Sequence, residues 1–132
     1  MVLTRECDYA LRILRTLADG QQRTVGELSE RDLIPKPFAY KITKKLARGK
    51  LIDITRGVDG GCRLCADLSR VSLYDLMVLM EDSLTMSVCC EEGFTCSWCA
   101  RNGFCRIHAN LAGIEGRLSD ILSGYSILSL FQ

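Results

Sequence analysis

Ile34-Pro35-Lys36-Pro37-Phe38-Ala39-Tyr40-Lys41-Ile42-Thr43-Lys44-Lys45-Leu46-Ala47-Arg48-Gly49, with the hairpin-like run that follows it to Cys65, is the stretch that decides the fold. Pro35 and Pro37 break whatever precedes them, because each lacks a backbone N–H and restricts the residue before it. Pro37 in turn suits the first turn of a new helix, where a missing N–H is no loss. Phe38, Ile42 and Leu46 place one apolar stripe on that helix, while Tyr40, Lys41, Lys44 and Arg48 fall on the other side and Gly49 stops it. Leu51-Ile52-Asp53-Ile54-Thr55-Arg56, a turn region over residues 57–61 and Cys62-Arg63-Leu64-Cys65 then read as a two-stranded hairpin with a glycine-rich tip.

Upstream, Ala10, Ile13, Leu14 and Leu17 recur at helical spacing and Gly20 stops the first helix. Thr24 and Glu27 form a capping-box pair that opens a short second helix to about Leu33. Downstream, Ser72 and Asp75 make another such pair, opening a fourth helix through Leu76, Met77, Leu79 and Met80. From Ser87 to Cys105 the period is lost and a loop is expected. Beyond it Leu111, Ile114, Leu118, Ile121 and Leu122 step at three and four residues, a seam like a coiled-coil stripe ending near Gly124.

The chain has 132 residues, 48% of them apolar, which fits about one domain able to bury a core without disulfide staples. Charged residues interrupt the amino-terminal apolar pattern, and no stretch reaches the roughly 18 apolar residues of a membrane span. A cytoplasmic address is expected, and no membrane partner. The formal net charge is +1, but residues 35–65 hold eight basic and two acidic side chains, between segments of net −1 and −4. A basic block of this kind fits a polyanionic partner.

Helix, short helix, proline break, basic helix, hairpin: this order is that of a winged helix-turn-helix, whose third helix enters the DNA major groove while the wing follows the backbone or minor groove. Lys36, Tyr40, Lys41 and Lys44 are the candidates for the groove. Arg56 and Arg63, flanking Gly60 and Gly61 at the wing tip, are the candidates for phosphate or minor-groove contact. Double-stranded operator DNA is the expected partner, with no small-molecule substrate.

The chain also resembles a known group, the Rrf-two (Rrf2) family of bacterial winged-helix regulators. The matching segments are Leu3-Thr4 and Asp8-Tyr9-Ala10-Leu11-Arg12, Ile34-Pro35, Lys41-Ile42 through Leu46, Arg56-Gly57 with Gly60-Gly61, Leu73 with Asp75-Leu76, and the Cys99 to Cys105 stretch. The resemblance implies a homodimeric transcriptional regulator, expected to act as a repressor, whose long carboxy-terminal helix makes the dimer. The expected architecture is mainly α with a small β-hairpin: a winged helix-turn-helix over 1–82, a cysteine-rich cluster-binding loop over 83–107 and a dimerisation helix over 108–132. One departure stands out, because the family usually has an aromatic residue after the wing glycines and this chain has Cys62. Cys62 and Cys65 would point to opposite faces of a strand and are expected to be small, half-buried packing residues rather than metal ligands.

Of eight cysteines, five fall between Cys89 and Cys105, and the only histidine, His108, follows them. In a reducing compartment such a block reads as metal or redox chemistry more readily than as structural disulfides. Iron–sulfur clusters are held mainly by thiolates, with His or a carboxylate sometimes substituting. Cys99 and Cys105 have five residues between them, the gap before the last cluster cysteine in the family; Cys90 and Cys96 match the first gap of IscR-like members, and Cys90 and Cys99 approach that of NsrR-like members. The resemblance therefore implies Cys90, Cys99 and Cys105 as ligands of a two-iron or four-iron cluster, with Cys96 as the alternative and Cys89 the more expendable of its pair. His108, or Asp8 of the other subunit, is the candidate fourth ligand. Such a cluster would report redox state, nitric oxide or iron–sulfur status. The alternatives are a cluster-free switch in which Cys96 and Cys99 form a disulfide, and a zinc-binding module. An oxidoreductase reading of Cys96-Ser97-Trp98-Cys99 lacks the strand–helix alternation it needs, so no enzyme activity is expected.

Overall fold

The computed structural model describes residues 3–81 and 84–132. The expected boundary between residues 82 and 83 lies outside the described residues. Among the described residues, six helices, α1 (Arg5–Leu17), α2 (Val25–Arg31), α3 (Lys36–Arg48), α4 (Leu73–Glu81), α5 (Ser97–Asn102) and α6 (Arg106–Ser123), accompany one antiparallel hairpin of β1 (Ile52–Thr55) and β2 (Gly61–Leu64). This is a winged helix-turn-helix followed by a long helix, as the order of elements predicts.

Local chemistry sets each boundary. Thr4 caps α1 by accepting the Cys7 N–H at 3.3 Å. Thr24 and Glu27 form the reciprocal capping box of α2, with bonds of 3.1 and 2.7 Å. α2 stops at Arg31, two residues earlier than the periodicity predicts, because Leu33 turns into the left-handed region at φ 54°. Pro35 is the N-cap of α3 and Pro37 lies in its first turn, where neither proline deprives the helix of a hydrogen bond.

Cys7, Ala10, Ile13, Leu14 and Leu17 of α1 are fully buried against Leu28, against Ile42 and Leu46 of α3, and against Leu76, Met77 and Met80 of α4. On α3 the expected stripe is displaced by one residue at its start. Ala39, Ile42, Thr43 and Leu46 are buried, whereas Phe38 is 39% exposed and meets Tyr9 edge-on with ring centroids 5.9 Å apart. Thr43 tolerates burial because its hydroxyl donates to the Ala39 carbonyl at 2.8 Å.

The wing is stitched to the helices by an extra bridge: Cys62 N–H donates to Arg23 O at 2.6 Å and Arg23 N–H to Cys62 O at 2.9 Å. That close approach demands Gly61, where a Cβ would stand 2.8 Å from Arg23 O. Gly60 is equally constrained, since a Cβ there would lie 2.2 Å from Thr55 O. Cys62 is wholly buried beneath the bridge and belongs to the core, while Cys65 falls just after β2, exposed, with its thiol 3.2 Å from Lys50 O. The expectation that both are half-buried is thus corrected in both directions: β2 ends one residue before Cys65, which leaves the pleat.

Two features beyond the wing escape the periodicity. The cysteine segment is not wholly loop, since it holds a 3-10 turn at Val88–Cys90 and the six-residue α5. After Gly124 the chain returns to the winged domain: Leu73 N–H donates to Tyr125 O and Ile127 N–H to Val71 O, both at 2.8 Å, and Ile127 is completely buried. α6, by contrast, has no fully buried residue, and Ile114 and Ile121 are 49% and 60% exposed. Among the described residues, no helix is long and apolar enough to cross a membrane.

Gly60→Ala should destabilise the protein by about 1–3 kcal/mol through the clash at the wing tip, whereas Gly26→Ala, in the open first turn of α2, should be stabilising by about 0.4–1 kcal/mol. Chemical denaturation midpoints measure both. Ile127→Ala should cost about 2–5 kcal/mol if the returning tail is part of the cooperative core, read by the same titration.

Candidate nucleic-acid interface and candidate metal centre

α3 presents its basic face to solvent. Lys36, Tyr40, Lys41 and Lys44 are all exposed, and Lys36 and Lys44 have no ion pair among the described residues. Lys41 differs, because its ammonium bonds to the Glu6 carboxylate of α1. Lys45, one turn on along the same face, reaches the other Glu6 oxygen at 3.1 Å and also donates to the Met80 carbonyl in the last turn of α4. The hydrogen bond from Lys41, opposed by partial burial and reinforced by Lys45, holds the Glu6 carboxyl below its ordinary value. Glu6 and Lys45 are functional candidates that the sequence did not single out. The i,i+4 relation of Lys41 and Lys45 was visible, but their shared partner lies 35 and 39 residues away.

In the wing, Arg56 is exposed beside the tip, free of ion pairs among the described residues. Arg63 is also exposed but its Nε donates to Gly20 O at 2.9 Å, so it braces the wing against the turn after α1. Gly60 and Gly61 act through backbone geometry.

Cys89, Cys96, Cys99, Cys105 and His108 line one open cavity of about 720 Å³, with Phe94, Trp98 and Phe104 among its apolar neighbours. Two subsets stand out. The ligand atoms of Cys89, Cys90 and His108 lie within 4.8 Å of one another. The 3-10 turn brings the two adjacent thiols together, and Ser87 Oγ lies 3.0 Å from Cys89 Sγ and 3.5 Å from Cys90 Sγ. The other subset is Cys96, Cys99 and Cys105. Cys96 is the N-cap of α5, and the N–H groups of Cys99 and Trp98 hold its thiol below the ordinary value. Cys99 is pushed up, first by desolvation and then by the Cys96 and Cys105 sulfurs beside it. Cys105 caps α6 and its sulfur accepts the His108 N–H at 3.4 Å, which joins the two subsets.

Cys99 and Cys105 are thus neighbours on the cavity wall, and Cys90 stands beside Cys89 and His108. Cys89 lines the cavity and Cys90 does not, which brings forward the member of the pair that spacing ranked second. Asp8 is not among these residues; it pairs with Arg12 at 2.8 Å and lines a different cavity. Five thiols and one imidazole form a soft donor set with aromatic walls, and these residues fit a thiolate-held metal group. All eight cysteines are free thiols.

The Rrf2 model, described as that of an iron-dependent transcriptional regulator, matches residues 3–132. Protein aau3 of Rhizobium meliloti is 31% identical over 134 residues, covering all of this chain and 86% of that protein. The transcriptional regulator IscR of Vibrio campbellii is 26% identical over 135 residues, covering all of this chain and 78% of IscR. The oxidised form of Staphylococcus aureus CymR superposes with a TM-score of 0.71 at 17% identity, over 100% of this chain and 97% of that one. With the basic α3, the glycine-dependent wing and a match that runs the length of the described chain, the protein belongs to the Rrf2 family, whose members are transcriptional regulators and not enzymes.

Proposed function

We propose that the protein is a homodimeric DNA-binding repressor whose operator affinity is set by an iron–sulfur cluster held in the cysteine cavity. The observation that carries this reading is the convergence of Cys89, Cys96, Cys99, Cys105 and His108 on one cavity, on the same chain as a solvent-facing basic helix. The IscR likeness and the iron-dependent description of the family model support it. Cys99 and Cys105 serve as two thiolate ligands, Cys90 or its neighbour Cys89 as a third, and His108 as the fourth, with Cys96 in reserve. Asp8 of the other subunit is the alternative fourth ligand. A bound cluster supplies one-electron redox chemistry and reactivity toward oxygen or nitric oxide.

The exposed seam of α6 supports the dimer, because Ile114 and Ile121 leave 49% and 60% of their surface uncovered within one chain. Two copies of α3 then reach successive major-groove faces of a pseudo-palindromic operator. Lys36, Tyr40 and Lys44 meet the groove and Arg56 the backbone, while Lys41 is shared with Glu6 and Arg63 with the wing's own brace. The last turn of α4 supplies a route between input and output. Just ahead of the cysteine segment, Met80 O is held by Lys45 of α3, and Glu81 accepts the Thr4 hydroxyl at the start of α1.

A second reading is favoured by one observation: Cys96 and Cys99 stand one turn apart at the start of α5, with the Cys96 thiol held below its ordinary value by the N–H groups of Cys99 and Trp98. With peroxide as oxidant, a Cys96–Cys99 bond forms, two thiol protons leave and the peroxide is reduced to two waters. The oxidised CymR structure shares this fold.

Protein purified without oxygen should be coloured, with stoichiometric iron and sulfide, and Cys105→Ser should lose both while remaining folded by circular dichroism. A colourless, iron-free preparation that loses two thiols on peroxide treatment would establish the thiol switch instead. Glu6→Gln should release Lys41 toward phosphate while loosening the tie at Lys45, so the log–log salt dependence of DNA binding should steepen by about 0.9 per subunit whatever the affinity at one salt concentration; an unchanged slope means Lys41 does not meet the backbone.

A further inference from the structure

A cavity of about 480 Å³ opens between α1, the turn joining α2 to α3 and the carboxy-terminal segment, and no cysteine lines it. Its wall brings together Arg12, Arg15, Arg31, Asp32, Leu33 and Phe131. The charges there are unevenly used. Arg12 is taken by Asp8 at 2.8 Å and by the Asp32 carbonyl at 3.3 Å, whereas Arg15 and Arg31 have no ion pair among the described residues.

Asp32 is the second unusual member. It is only 7% exposed, its Oδ1 accepts the Thr16 hydroxyl at 2.7 Å, and its Oδ2 is buried with no hydrogen-bond partner among the described residues. Buried carboxylate oxygens are ordinarily satisfied, and one that is not asks for a donor. Leu33 is the third, a leucine held at φ 54° with 81% of its surface exposed at the rim. Branched residues rarely occupy that backbone region, and this one is kept there by Ser29, which accepts the Ile34 N–H at 2.9 Å and donates to the Ile34 carbonyl at 2.6 Å.

We propose that this cavity is an effector site for a small organic carboxylate that carries its own N–H or O–H donor, an amino acid or a hydroxy acid. The carboxylate pairs with Arg15 and Arg31, a rotation of the Asp32 carboxylate brings Oδ2, itself closed to solvent, to the ligand's donor, and the carbon skeleton lies against Leu33 and Phe131. The chemistry excludes simpler occupants. A metal cation would face two unpaired guanidinium groups, and a fully ionised inorganic anion would set like charge against Asp32. Three arginines and two aspartates leave the wall one positive charge in excess, which favours a ligand of net negative charge. Asp32 and Leu33 are the turn of the helix-turn-helix itself, so an occupant bridging Arg15 of α1 to that turn fixes α3 against α1.

The test compares three four-carbon dicarboxylic acids, L-aspartate, L-malate and succinate, by calorimetry and thermal shift on the 132-residue chain at constant ionic strength. Aspartate or malate, or both, should bind about tenfold or more tightly than succinate, which has neither donor. Preference for aspartate identifies an amino-acid site and preference for malate a hydroxy-acid site. Arg31→Gln, on the surface, should weaken binding about tenfold without moving the unliganded melting temperature, and Asp32→Asn should erase the preference over succinate. The proposal is overturned if no acid of the three binds at millimolar concentration, if succinate binds as well as the other two, or if Arg31→Gln leaves binding unchanged.

Discussion

The ammonium group of Lys45 ties three helices at one point. From α3 it reaches the Glu6 carboxylate of α1 and the Met80 carbonyl at the end of α4, with only 17% of its side chain exposed. Charge-assisted hydrogen bonds in such a setting are stronger than neutral ones, and a lysine so placed would leave two acceptors unmatched if it were lost. One turn away along α3, Lys41 shares the same carboxylate. The position of α3, the helix proposed to meet DNA, is therefore fixed by a charge pair as well as by apolar packing. Beside it, the Thr4 hydroxyl caps α1 and donates to Glu81, so the residue that ends α4 also steadies the start of α1.

That arrangement gives the winged domain a rigid side and an adjustable one. On the rigid side the wing is pinned by the Arg23–Cys62 bridge, by Arg63 on Gly20 O and by two glycines whose Cβ positions are already occupied by backbone. On the adjustable side, the end of α4 meets α3 through the polar contact of Lys45 with the Met80 carbonyl, beside the packing of Leu79 on Gly49, just before the cysteine segment. On the proposed reading, such polar contacts exchange partners, DNA phosphate among them, and give a change at the cavity a way to reach α3 without unpacking the core.

Much of this was legible in the residues. The capping boxes at Thr24 and Ser72, the proline break and the 10-13-14-17 stripe of α1 each carry a local cause, and each appears where that cause puts it. What was not legible is non-local. Phe38 looks like a stripe residue at i−4 from Ile42, but in the first turn of α3 it is Ala39 that takes the inward position, so Phe38 turns outward and meets Tyr9 instead. Ile127 has no periodic neighbours to announce it, being buried by a chain reversal after Gly124 that only tertiary hydrogen bonds define. In the cysteine segment, spacing assigned the thiols to a common site but could not see that a 3-10 turn would bring Cys89 and Cys90 together beside His108, or that α5 would make Cys96 a helix cap.

The cysteine cavity and the basic helix are, in this account, the input and output of one switch. Two states with different placements of α3 must differ in DNA affinity, and the energy available is the difference in how the two states hold the cluster. The most direct measurement is the affinity of the anaerobically purified protein, before and after treatment with an iron chelator, for a DNA site selected with this protein from a random pool. The account predicts a difference of about 5- to 150-fold between the two forms. Equal affinity would contradict it.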